Sequence, residues 1–160
     1  MVVPAFVQTV ADWWSSIYGN HTAVAVSVLF LHLGGLLVAA SAALSTDRRI
    51  LAAASADEQR RALAALPDAH FTVLGGLAAV AASGVLLTLA DLEFMLHEPL
   101  YGVKLVAVAL LLANGWQLQR AERRAASGLS RDWARLRTAA RTSGALWFAT
   151  VLAGAMLSKA

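Results

Sequence analysis

Cysteine is absent from the 160 residues, which excludes disulfides, thiolate metal sites and thiol catalysis. Charge is scarce too. Only 14% of residues are Asp, Glu, Lys or Arg, against about 25% in soluble domains, while 59% are hydrophobic. That balance excludes an ordinary soluble fold and a disordered chain. Phosphate loops, dinucleotide fingerprints and nucleophile elbows are missing, and Gly34-Gly35 and Gly75-Gly76 lie inside apolar runs as packing positions. No HExxH or His-x-His pair occurs, and nothing in the chain points to hydrolytic chemistry.

What the chain has instead is long apolar runs. Residues 22–44 and 69–90 carry no charge, 99–119 carry one (Lys104), and 142–158 carry none. A helix needs about 20 such residues to cross a ~30 Å hydrocarbon core, with roughly 17 as a minimum. Backbone groups in lipid must be satisfied within the segment, so these runs predict helices, and they lack the alternation of barrel strands. The expected fold is an all-α integral membrane protein, a single domain over 1–160 built as an antiparallel bundle of four transmembrane helices.

Arginine sets the expected topology. All 11 arginines fall in segments 45–68 and 120–141, whereas Asp12, Asp91, Glu93 and Glu98 lie at the opposite ends of the runs. Positive-inside bias makes both arginine segments cytoplasmic loops and places both termini outside, in a bacterial inner membrane. The basic pI of about 10.0 then reflects topology, and no nucleic-acid motif accompanies it. Phe6, Val10, Trp13, Trp14 and Ile17 recur at helical spacing, so residues 1–19 read as an amphipathic helix in the outer interface. Ser130 starts a possible inner surface helix in which Trp133 and Leu136 dip into the interface, after a turn at Ser127-Gly128.

Without a hydrophobic force between helices in lipid, small residues drive their packing. Rows at fourfold spacing occur at Gly35, Ala39 and Ala43, at Gly75, Ala79 and Ser83, and at Ala145, Ala149 and Ala153. Polar residues interrupt this pattern. His21 and His32 share a face with Gly35, about 16 Å apart along the axis, so His32 sits near mid-membrane inside the bundle. Ionisable groups at that depth are rare and costly, which marks a function; the alternative is a neutral imidazole bonded to a neighbour's hydroxyl or carbonyl. Lys104 falls on one stripe with Ala107, Leu111, Asn114 and Leu118 and is expected to face inward, with snorkelling as the alternative. His70 reads as structural, or as a separate inner site.

Asp91, Glu93, His97 and Glu98 crowd one loop, with His21 and Tyr101 at similar height. Imidazole plus carboxylate suits copper or zinc, so His21, His97, Asp91, Glu93 and Glu98 are candidate metal ligands; an acidic outer loop is also what charge asymmetry alone produces.

The residues Ser83-Gly84-Val85-Leu86-Leu87 and then Leu100-Tyr101-Gly102-Val103-Lys104-Leu105, ending at Asn114, resemble the copper-resistance D (CopD) family of bacterial inner-membrane proteins. The loop-to-helix pattern with its Lys also looks like the HemJ protoporphyrinogen oxidase family. That resemblance covers about residues 66–120 and implies haem b held by a helix-1 histidine, matched by His21, and by Lys104. The Trp-x-Ala-Gly and Tyr-x-Pro-Arg elements of the oxidase family do not follow His21, and Met1, Met95 and Met156 form no copper motif.

The expectation is a small membrane protein binding haem b or another redox cofactor, for electron transfer or as a subunit of a respiratory-type complex. His21 and His32 are axial candidates, His97 a second ligand, Lys104 a propionate partner, and Asn114 and Tyr101 second-layer groups. Copper or zinc handling and a purely structural accessory role are the alternatives. The expected partners are the lipid bilayer, other membrane subunits or a second copy of the chain, and no nucleic acid.

Overall fold

The computed structural model describes residues 3–125 and 130–158, and among them regular structure is entirely helical. Seven helices follow in order: α1 Ala5–Asn20, α2 Thr22–Ala52, α3 Ala56–Ala64, α4 Leu66–Ala90, α5 Leu92–His97, α6 Pro99–Ala125 and α7 Ser130–Leu157. Three of them, α2, α4 and α6, are long and apolar enough to cross a membrane. The fourth long helix, α7, carries no charge from Thr142 to Leu157 but begins among arginines. The turn expected at Ser127-Gly128 lies outside the described residues.

The helices run past the apolar stretches. Helix α2 has 31 residues, so by its 1.5 Å rise it is roughly 46 Å long and carries Asp47 and both Arg48 and Arg49 within its final turns. The segments expected as arginine loops are thus mostly helix. Between α2 and α4 stands α3, opened by a capping box in which the Ser55 side chain accepts from Glu58 N–H and the Glu58 carboxylate accepts from Ser55 N–H. The Ser55 and Ala54 N–H groups, both donating to Glu58 Oε2, hold its carboxyl below the ordinary range. At the other junction α7 is continuous, so the expected separate surface helix is the first part of α7. Leu136 does not dip into an interface. It is fully buried with Ile50, Leu66, Leu118 and Ala140 in a core where α2, α4, α6 and α7 meet at the arginine end.

Packing is densest between α2 and α4. A Cβ on Gly35 would lie 2.9 Å from the Gly76 carbonyl oxygen, and one on Gly76 would lie 2.7 Å from the Gly35 oxygen and 2.8 Å from Ala39 Cβ. Only hydrogen fits at either position, so the two backbones touch there. In the expected row on α4, Ala79 and Ser83 do face α2, but the glycine in contact is Gly76, while a Cβ on Gly75 would meet nothing within 4 Å. On α7 the buried row is Ser143, Trp147, Thr150 and Ala153; Ala145 and Ala149 face outward. The α6–α7 pair is also extensive, and α2 packs on α7, with Ala39, Leu111 and Trp147 meeting in the centre.

Helix α1 is more than an interfacial float. It lies along α4, where Trp14 Nε1–H donates to the Leu86 carbonyl at 2.8 Å and the Ser15 hydroxyl donates to that of Ala90 at 2.9 Å. The Ala90 carbonyl is among the last four of α4, which lack intrahelical donors. Phe6 and Trp13 turn away and stay exposed.

Candidate functional site

Helices α4 and α6 are not packed backbone to backbone. Side chains bridge them at both ends: Thr88 Oγ1 lies 3.1 Å from the Tyr101 hydroxyl near α5, and His70 Nδ1 lies 3.4 Å from Glu122 Oε2 at the arginine end. Between the bridges, towards the arginine end, lies a cavity lined by α2, α4, α6 and α7; one polar cluster stands nearer α5 and a second on the cavity's border.

The first cluster joins His32, Ser83 and Lys104. Ser83 is fully buried, and its hydroxyl donates to the Ala79 carbonyl at 2.6 Å. Its single proton being committed there, the Ser83 oxygen is an acceptor, so the 3.1 Å contact with His32 is an Nδ1–H donation. The ring also meets the Val80 carbonyl, another acceptor. The Ser83 oxygen selects the Nδ1–H tautomer and leaves Nε2 with its lone pair. Gly84 lets the ring approach: a Cβ there would be 3.4 Å from His32 Cε1.

Lys104 turns inward, as the stripe on α6 predicts. Its Cε and Nζ pass 3.8 and 3.9 Å from where a Cβ on Gly154 would stand, and its charge acts on His32. Among the described residues it makes no hydrogen bond or ion pair, and the titratable group beside it, His32, is a neutral base. A half-buried ammonium beside an imidazole and without a carboxylate has the chemistry to accept an anion.

The remaining expected site residues are not gathered here. His21 and His97 are exposed, and each gives its Nδ1–H to its own chain one turn back, to the Ile17 and Glu93 carbonyls at 3.1 and 2.8 Å. Glu98 accepts from Leu100 N–H, tying down the start of α6, and Asp91 is the exposed residue between α4 and α5. No group of three or more His, Asp or Glu is placed to hold a metal ion among the described residues. Asn114 serves a different purpose from the one expected. It is buried in the α6–α7 seam and donates to the Ala139 carbonyl at 3.1 Å, ten residues and about 15 Å along the axis from Lys104. Tyr101 belongs to the Thr88 bridge.

The second cluster was mostly outside the sequence reading. Asp47 is 4% exposed, with Ser143 as its hydroxyl neighbour, and one of its carboxylate oxygens has no partner. His70 Nε2 is likewise shielded and unpartnered while Nδ1 faces Glu122. The signal for Asp47 was present, since the row Gly35, Ala39, Ala43 continues to 47. Nothing in the sequence pairs His70 with Glu122, which are 52 residues apart.

No protein-family model, curated protein or solved structure matches the chain.

Proposed function

We propose that this is a multi-pass membrane protein that binds haem b through His32 and Lys104, for electron transfer within the membrane. In this reading α7 is the fourth crossing, the four long helices form an antiparallel bundle, and the arginine end faces the cytoplasm of a bacterial inner membrane with both termini outside. The carrying observation is the inward, carboxylate-free Lys104 beside a histidine whose tautomer is fixed. Lys104 lies five residues into α6, where an ammonium costs less than the about 2.5–3.5 kcal/mol of a helix centre, and without a countercharge from the chain a ligand's anion offsets that cost.

Haem b meets the chemistry of both groups. Its propionates are anions for Lys104, and its iron accepts an imidazole nitrogen. The Ser83 bond to Nδ1 does for His32 what outer hydrogen bonds do for metal-bound histidines, fixing the ring so that Nε2 is the ligating atom. The resemblance to the HemJ family suggests the same cofactor; that resemblance matches His21, and the choice of His32 rests on its bond to Ser83 and its place beside Lys104. The chain itself supplies orientation, the countercharge and an apolar surround that excludes water.

Titration of the purified full chain in detergent with hemin, read in the Soret region, tests this. Wild type is expected to give a saturable 1:1 band. His32→Ala abolishes it, Lys104→Met weakens binding about tenfold, and His21→Ala and His97→Ala leave it unchanged. Absence of a saturable band in wild type, or equal spectra for His32→Ala, overturns the reading and leaves the His32–Ser83 bond as a scaffold contact.

A further inference from the structure

The cavity between α4 and α6 at the arginine end is about 250 Å³ in volume, and its α4 wall lies from about 9 to about 21 Å along the axis from Ser83. Its walls are apolar, including Leu77, Leu112, Trp116 and Trp147, and Asp47 and His70 stand on its border. We infer that this cavity binds the ring of a lipid-soluble quinone.

Three observations lead there. An apolar cavity of about 150 Å³ holds benzene, so 250 Å³ accommodates a substituted ring. The ring enters from the side, because α4 and α6 are bridged by side chains at their ends and are not sealed along their length. Finally, Asp47 Oδ2 and His70 Nε2 are buried without a partner where nearly every buried polar atom normally has one. A quinone supplies what these two atoms lack. Its carbonyl accepts from an imidazole N–H, and the hydroxyl of its reduced form donates to a carboxylate or to an imidazole lone pair. Other ligands fit less well. A metal ion needs a converging donor set that the described residues do not offer, and an anionic headgroup would meet the carboxylates of Asp47 and Glu122.

The proposal concerns binding and stands apart from the haem site, so its test separates the two. The full chain in lipid nanodiscs is titrated with decylubiquinone and with decylubiquinol, following tryptophan fluorescence. Wild type and Lys104→Met are expected to show the same saturable change. His70→Ala and Asp47→Leu weaken it at least tenfold. Leu112→Trp, a substitution at a half-exposed cavity wall that leaves both polar groups intact, blocks it by filling the space. A change that never saturates, or equal affinity in wild type and Leu112→Trp, overturns the proposal. Loss of binding in Lys104→Met does so too, since it would place the quinone at the other cluster.

Discussion

Helix α4 has two sides of opposite character. Towards α2 it is sealed at backbone distance by Gly76 and Gly35, with Ser83 the one polar group in the seam and bonded to His32. Towards α6 it stands off, with polar bridges among the described residues at Thr88–Tyr101 and His70–Glu122, and the unpartnered polar atoms of Asp47 and His70 border the space between. The apolar composition of α4 is the same all round, so composition does not distinguish a structural side from a functional one. Residue size does. A glycine at the crossing closes one side, and larger side chains hold the other open.

Breaking the seam gives the largest expected effect. Gly76→Leu puts a branched side chain where even a Cβ would be 2.7 Å from backbone oxygen, and costs about 3 kcal/mol or more. Gly75→Leu, with nothing within 4 Å, shifts stability by less than about 0.5 kcal/mol. Reversible unfolding in mixed micelles, followed by tryptophan fluorescence, measures both; equal costs would deny that the backbones meet at Gly76. Next comes Asn114→Leu, which removes the bond to Ala139 in the α6–α7 seam and costs about 1 kcal/mol while leaving the hemin titration unchanged.

The open side is probed by Thr88→Val. One interhelical hydrogen bond of this kind is worth about 0.6 kcal/mol, so global stability barely moves. The cleft itself loosens. Because the chain has no native cysteine, pairs of spin labels on introduced cysteines report this directly. The α4–α6 distance distribution broadens in Thr88→Val and the α2–α4 distribution stays narrow. If both broaden, the two sides are not independent.

These contrasts also show what was legible beforehand. The apolar runs locate α2, α4 and α6 well because hydropathy over 20 residues is a strong signal. The ends were misplaced because charge was read as the end of a helix, whereas arginines are accommodated in helical turns beyond the apolar core. Asp47 was lost for that reason alone. Choosing Gly75 over Gly76 reflects a different limit: in a helix apolar on all faces, periodicity does not say which of two adjacent residues faces a neighbour. The inward Lys104 was readable from its stripe, and the His32 partner was anticipated as a neighbour's hydroxyl. His21, His97 and Asn114 stand apart from His32 and Lys104; grouping them matched depth without knowing rotation about each helix axis.

The smallest effect lies outside both sides, at the α3 cap. The Glu58 carboxyl is held low by the Ser55 and Ala54 amides in the folded chain, so its contribution is complete above the ordinary carboxyl pKa of about 4.3 and is lost as pH falls through the lower folded value. Hydrogen exchange of the α3 amides, corrected for intrinsic pH dependence, is expected to show that loss in wild type and not in Glu58→Ala.

The proposed function depends on His32 and Lys104 together holding a ligand. Native mass spectrometry of the chain released from its own membrane measures this without reconstitution. The expected spectrum shows wild type carrying the mass of one haem b and His32→Ala without it; a bare wild-type chain, from cells supplied with haem, would contradict the assignment.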